Sequence, residues 1–206
     1  MTLTPDHLHI LTINAKGLNK PEKRSGALRD FHKQRASIVM IQETHLKKGT
    51  SPKLTNQHYT QGYYSDYQGG KARGTAIILH RWVPFQEGGC KTDDEGRYLF
   101  LKGKIADHQY TFANIYAPNK QHYRFLKQTL CKLQEFAEGT LILGGDFNIT
   151  LDPSWDNSSG ISHVPTQQLQ TIKSLLRSRR LVDCWRAHHP DLRNYTFYSH
   201  PHNSYS

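Results

Sequence analysis

Residues 140–148 read TLILGGDFN: a short apolar run, two glycines, then Asp146 and Asn148. A run of this length bounded by turn residues is a buried strand, and its polar end marks where that strand leaves the core. The same grammar recurs upstream. Leu8–Asn14 (LHILTIN) is a buried strand ending in Asn14, Ser37–Gln42 (SIVMIQ) is followed by Glu43, and Tyr110–Tyr116 runs into Ala-Pro. Between them lie segments of helical period, so the chain reads as mixed α/β rather than as a bundle or an all-β sandwich.

The remaining elements follow from spacing. Ala27, Leu28 and Phe31 place a short amphipathic helix over about Glu22 to Arg35. The stretch from Pro52 to Gly74 is rich in Gly, Tyr, Gln and Ser and reads as loops with an irregular strand, after which Thr75–His80 (TAIILH) returns to the core. Arg97–Ile105 and Tyr110–Tyr116 are β-rich and split by Ala-Asp-His, the signature of a hairpin. Leu126, Leu130, Leu133 and Phe136 mark a second helix ended by Gly139, and Leu169, Ile172 and Leu176 a third, with Arg177, Arg179 and Arg180 at its C-terminal end. Tyr195–Tyr198 (YTFY) reads as a last strand. The 206 residues suit one domain, residues 1–206, with a single sizeable core.

Charge narrows the partners. With 27 Lys+Arg against 17 Asp+Glu, a formal charge of +10 favours polyanions. Cys90, Cys131 and Cys184 form no CxxC or Cys/His pattern, so zinc-ribbon and disulfide scaffolds are not expected, and free thiols point to a reducing compartment. No window approaches the roughly 18 apolar residues of a membrane span. The expectation is a nuclear or cytoplasmic protein, monomeric and without membrane contact.

Each polar signal has an ordinary reading by itself. An Asp two residues before an Asn caps turns, a Glu at a strand end is usually solvated, Asn14 suits a loop, and Tyr116 could be a core aromatic with a wet hydroxyl. Together they collect at strand ends, where α/β sheets assemble sites. In an extended segment Asp146 and Asn148 would point to one side, Gly144 and Gly145 allow close backbone approach, and a carboxylate at the end of so apolar a strand needs a partner or a metal. His80, His108, His163, His188, His189, His200 and His202 read as loop or surface residues.

In this order and spacing, TINAKGLN, IVMIQETH, FANIYAPN, LILGGDFN and YTFYSHPHNSYS resemble the endonuclease/exonuclease/phosphatase superfamily. Within it they resemble the apurinic-like endonuclease domain of LINE-type retrotransposons, related to exodeoxyribonuclease III and the AP endonucleases. The resemblance implies a four-layer α/β sandwich of two packed, mainly antiparallel sheets flanked by helices. It implies Mg²⁺, with Mn²⁺ as the alternative, bound by Glu43 with Asn14 nearby, and it brings Asp146 and Asn148 into the metal and phosphate site. Asp146 would activate the attacking water and Asn148 would hydrogen-bond a phosphate oxygen. Tyr116 would contact the phosphate or the leaving oxygen, and Thr196 would lie at the edge of the DNA-binding face. The implied reaction is endonucleolytic nicking of DNA to a 3′-hydroxyl and a 5′-phosphate, in genes that also encode a reverse transcriptase.

Members of that superfamily continue into a further strand with an Asp and a Ser-Asp-His ending, and neither follows Ser206 here. The expectation is a C-terminally truncated domain, lacking its last strands, with catalysis weakened by about 10²–10³ for one lost electrostatic donor. Three other readings stand beside nicking. One is an AP endonuclease or 3′-exonuclease of DNA repair, and another is a catalytically dead nucleic-acid-binding remnant. The last, a lipid- or inositol-phosphate phosphodiesterase, is disfavoured by the positive charge.

Overall fold

A computed structural model describes the chain except for residues 1–6, 48, 50–52, 161, 163, 197, 200–203 and 206. Two compact units emerge, one of residues 1–117 and 135–146, the other of residues 118–134 and 147–206.

The first unit holds two four-stranded sheets. In the first sheet, β1 (Ile10–Asn14), β2 (Ile38–Gln42), β4 (Thr75–His80) and β3 (Tyr59–Ser65) lie in that order. In the second, β5 (Phe85–Thr92), β6 (Tyr98–Ile105), β7 (His108–Tyr116) and β8 (Thr140–Asp146) lie in sequence order. Both sheets are mixed, and each has one parallel pair, β1 with β2 and β7 with β8, among antiparallel neighbours. Each parallel pair is joined through a helix, α1 (Pro21–Lys33) in one case and α2 (His122–Phe136) in the other, as a parallel connection requires. The mainly antiparallel α/β sandwich implied by the resemblance is the architecture observed.

Strand alternation builds the layers. Ile38 and Met40 of β2 turn to the interior with Ile77, Leu79, Phe85, Leu99, Leu101 and Phe112, which packs the sheets face to face. Val39 and Ile41 turn the other way, against Leu28 and Phe31 of α1. On the outer side of the second sheet, the Phe136 ring at the end of α2 lies 6.1 Å from that of Phe100, and Lys102 sits over it 4.9 Å from its centroid.

Several expectations shift. The β1 and β8 segments, read as buried strands, are edge strands, with Ile10 and Ile13 of β1 37% and 38% exposed, because each has a hydrogen-bonded neighbour on one side alone. The irregular strand expected in the Tyr- and Gly-rich segment is present as β3, seven residues with one bulge between Tyr59 and Gln61. β5 carries no period-two signal, since Gln86, Glu87 and Gly88 face solvent around a bulge. His80 closes β4 at 2% exposure, its ring stacked 3.5 Å from that of Trp82. Burial, and then the neighbouring His32, His58 and Arg81, push that ring down to about 4. His163, His200 and His202 lie outside the described residues.

In the second unit, α4 (Thr166–Ser178) is tied to α2 by Arg179 Nη2 donating to Gln134 Oε1 at 2.7 Å. The short helices α3 (Pro153–Asp156) and α5 (Cys184–His188) are joined by an Arg186–Asp156 ion pair at 2.7 Å. Tyr195 and Thr196 lie outside any strand, and β9 (Tyr198–Ser199) pairs with β10 (Ser204–Tyr205) as a two-residue ribbon. All three cysteines are free. Among the described residues no helix is long and apolar enough to cross a membrane.

The two glycines of GGDFN differ in what they tolerate. Gly145 has φ +145°, and a Cβ there would lie 1.9 Å from the Ile115 carbonyl oxygen, whereas one at Gly144 would meet the flexible Met40 sulfur at 3.0 Å. Gly145→Ala should cost about 3 kcal/mol in urea unfolding and Gly144→Ala distinctly less, about 1 kcal/mol. Equal losses in the two variants would mean that backbone crowding at position 145 is not what demands glycine.

Candidate active site

The parallel pairs set the site. In register, Asn14 lies opposite Gln42 and Tyr116 opposite Asp146, so both pairs deliver polar residues at their carboxyl ends. The sheets meet there closely, since Gly144 of β8 faces Thr12 of β1 and Met40 of β2 with no side chain between.

Asn14 is the hinge of the cluster. Its Nδ2 donates to Glu43 Oε1 at 2.9 Å and to Asp146 Oδ2 at 2.9 Å, bridging two carboxylates from different sheets. Its Oδ1 accepts from the Lys16 backbone N–H at 3.0 Å, which fixes the amide's orientation. The Tyr116 hydroxyl donates to the same Glu43 Oε1 at 2.8 Å. Four of the residues singled out by sequence, Asn14, Glu43, Tyr116 and Asp146, therefore form one hydrogen-bonded group.

The loop that carries Glu43 is held from both sides. Glu43 and His45 take left-handed backbone at φ 51° and 55°, an uncommon geometry for such residues that needs support. The support is a row of backbone bonds. Gly17 N–H and Leu18 N–H donate to the Glu43 and Thr44 carbonyls at 2.7 and 2.8 Å, while Thr44 and His45 N–H groups donate to the Gly74 and Arg73 carbonyls at 3.1 and 2.7 Å. Glu43 is thus aimed by the ends of β1 and β4 as much as by its own strand.

Electrostatics keep Glu43 ionised. Burial pushes its carboxyl up, but the Asn14 and Tyr116 hydrogen bonds and the charges of His45 and Lys16 outweigh burial and leave it below its ordinary value. His45 Nε2 lies 3.5 Å from Glu43 Oε2. Tyr116 moves the other way: burial first, then its bond to Glu43, push the phenol up to about 12, so it stays a proton donor. The Arg97 guanidinium lies over its ring, 4.7 Å from the centroid.

Below the carboxylates a buried amide pair joins the sheets. Gln42 Nε2 donates to Asn114 Oδ1 at 2.7 Å and to Thr12 Oγ1 at 3.1 Å, and Asn114 Nδ2 donates to the Ile41 and Ala76 carbonyls at 3.0 and 2.9 Å. Gln42 and Asn114 belong to motifs legible in the sequence, but no sequence signal assigns them this role. His45, Lys16 and Arg97 carried no signal beyond their neighbourhood.

Asn148 and Thr196 belong to the second unit. β8 ends at Asp146 and Asn148 has φ 50°, so the alternation of an extended segment does not carry past Asp146. Thr196 is exposed.

A family model described as "Endonuclease/Exonuclease/phosphatase family" matches residues 11–206. The chain belongs to that family. It is 24% identical over 196 residues to a "Transposon TX1 uncharacterized 149 kDa protein" of Xenopus laevis, and spans 92% of its own length but 14% of that protein's. In fold it is similar to an AP endonuclease from Archaeoglobus fulgidus, with a TM-score of 0.70 at 19% identity over 94% of this chain and 79% of that one. It is also similar to the endonuclease domain of TRAS1, a telomere-specific non-LTR retrotransposon, with a TM-score of 0.59 at 15% identity over 84% and 70% of the two chains.

The donor set of this family member fits a hard divalent cation. Glu43 and Asp146 present carboxylate oxygens, Asn14 adds a carboxamide, and no thiolate is among them. Tyr116→Phe should raise the Glu43 pKa, because the variant loses a hydrogen bond to the ionised form. Carboxyl-resolved NMR titration of the metal-free protein reads this directly, and an unmoved Glu43 would mean that the tyrosine hydroxyl does not stabilise its charge.

Proposed function

We propose that the chain is a divalent-metal-dependent DNA phosphodiesterase that nicks one strand, with Mg²⁺ as the ion and Mn²⁺ as the alternative. The observation that carries the reading is the bridge from Glu43 through Asn14 to Asp146, with Tyr116 bound to Glu43. A divalent ion held by Glu43, with Asn14 beside it, supplies charge neutralisation on the phosphoryl and leaving oxygens.

The chain's own residues divide the remaining work. Asp146 accepts a proton from the attacking water, whose oxygen bonds to phosphorus as the P–O3′ bond breaks. The departing O3′ takes up a proton from solvent water, leaving a 3′-hydroxyl and a 5′-phosphate, and Asp146 returns its proton to solvent. Tyr116, protonated throughout, donates a hydrogen bond to the phosphate or to that oxygen. Asn148 binds a non-bridging phosphate oxygen, and Thr196 contacts the DNA at the edge of its track. The net charge of +10 favours a polyanionic substrate. The likeness to a transposon protein and to the endonuclease domain of the non-LTR retrotransposon TRAS1 supports an endonuclease, and the resemblance of the sequence motifs adds nicking of duplex DNA within a longer polyprotein that includes a reverse transcriptase.

The similarity to AP endonucleases supports a second reading, incision at abasic sites as in DNA repair. Purified protein with Mg²⁺ should convert supercoiled plasmid to open circles, and EDTA should stop it. Glu43→Ala and Asp146→Asn should each slow it by about 10²–10³. Preference for a duplex with one abasic site over intact plasmid would favour the repair reading. Intact plasmid with folded protein that still binds duplex in a salt-dependent way would replace nicking by nucleic-acid binding without catalysis.

A further inference from the structure

At the opposite end of the first sheet from Glu43, three histidines come together from distant parts of the chain. His32 lies in the last turn of α1, His58 just before β3, and His80 at the end of β4. The His80 N–H donates to the Ser37 carbonyl at 2.8 Å, next to the start of β2. Glu43 is six residues further along, roughly 20 Å at the rise of a strand. The cluster is therefore separate from the site described above.

The geometry suits a cation bound through nitrogen. His32 Nδ1 and His80 Nε2 are 3.2 Å apart, and one ring nitrogen from each of the three histidines lies within 4.8 Å of the others. Zinc–nitrogen bonds of about 2.0–2.1 Å set an edge of about 3.4 Å in a tetrahedral site, so His32 and His80 are already near the required separation. The His32 and His58 rings stack at 3.7 Å, and opening that stack by side-chain rotation brings the third nitrogen in.

Two observations point beyond an ordinary aromatic cluster. Among the described residues, Nδ1 of His58 is buried without a hydrogen-bond partner, an unfavourable state for a polar atom that a bound cation would relieve. The Gln57 carboxamide lies 3.2 Å from His58 Nε2. With its oxygen turned to that nitrogen, it selects the tautomer whose Nδ1 lone pair is free to ligate. His32 also sits where the helix C-terminus favours positive charge.

We propose that His32, His58 and His80 form a second metal site, for Zn²⁺ or a similar borderline transition ion, which clasps α1 and the approach to β3 onto β4. A site made of imidazole alone discriminates against Mg²⁺ and Ca²⁺, which take oxygen donors. Its fourth ligand is water.

The test is titration of the metal-free chain with Co²⁺, read by visible absorption, since a tetrahedral Co²⁺ site absorbs far more strongly than an octahedral one. One equivalent should give an intense band that Zn²⁺ displaces, and Glu43→Ala should leave it intact. His32→Gln and His58→Gln alter half-buried residues, and circular dichroism checks that both variants fold. Each should lose the band and bind Zn²⁺ at least about tenfold more weakly. Weak octahedral absorption alone in the parent chain, or a band that survives both substitutions, would overturn the proposal. Nicking activity enters neither readout, so this result is independent of the reading of the Glu43 site.

Discussion

The Gln42–Asn114 amide pair is the constraint on which the rest of the site depends. Both side chains are essentially sealed from solvent, at 1% and 0% exposure, in a layer otherwise filled by Met40, Ile77 and Leu99. Buried amides in such surroundings are tolerated when their hydrogen bonds are made, and a partly satisfied pair is costly. Here Gln42 reaches Asn114 and Asn114 reaches back to two carbonyls of the opposite sheet, so the pair has one low-energy arrangement. Apolar packing between the sheets could slide, but this directional bond fixes their register at the end where the carboxylates stand.

Above that pin, each sheet contributes half of the polar cluster. The ends of β1 and β2 supply Asn14 and Glu43, and the ends of β7 and β8 supply Tyr116 and Asp146. Both halves use a strand, a crossover helix and a parallel strand, the connection that places two carboxyl ends side by side. The antiparallel strands serve as the frame. Asn14 then lets two carboxylates sit close together by lending both of them the same amide donor, while the Tyr116 hydroxyl and the left-handed loop keep Glu43 aimed.

Much of this was legible in the sequence wherever the physics is local. Apolar runs such as SIVMIQ and TAIILH must be strands because nothing else buries them, and the spacing of Leu126, Leu130 and Leu133 can only be a helix face. Asn14, Glu43, Tyr116 and Asp146 were recognisable through the order of their motifs. The burial of β1 and β8 was not, because edge position is decided by which strands pair. β5 escaped because a bulged strand with a solvent face and two glycines has no period to detect. The hairpin of β6 and β7 was legible, but the partition into two sheets rather than one doubly wound sheet was not, because it depends on which strands pair. Residues 32, 58 and 80 meet through tertiary folding alone, so no spacing could have joined them.

The position of Gly145 couples architecture to chemistry in a mechanical sense. Of the glycines in the second sheet, the one with least room for a side chain, Gly145 against the Ile115 carbonyl, falls one peptide unit before the carboxylate of Asp146. A disturbance of packing between β7 and β8 cannot dissipate along a flexible linker, because there is none between Gly145 and Asp146. It becomes a displacement of Asp146, and in the proposed reaction an error of about 1 Å there would cost about a hundredfold in rate. Such a chain can therefore lose function through a slackened sheet long before it loses its fold, with every polar residue of the cluster still in place.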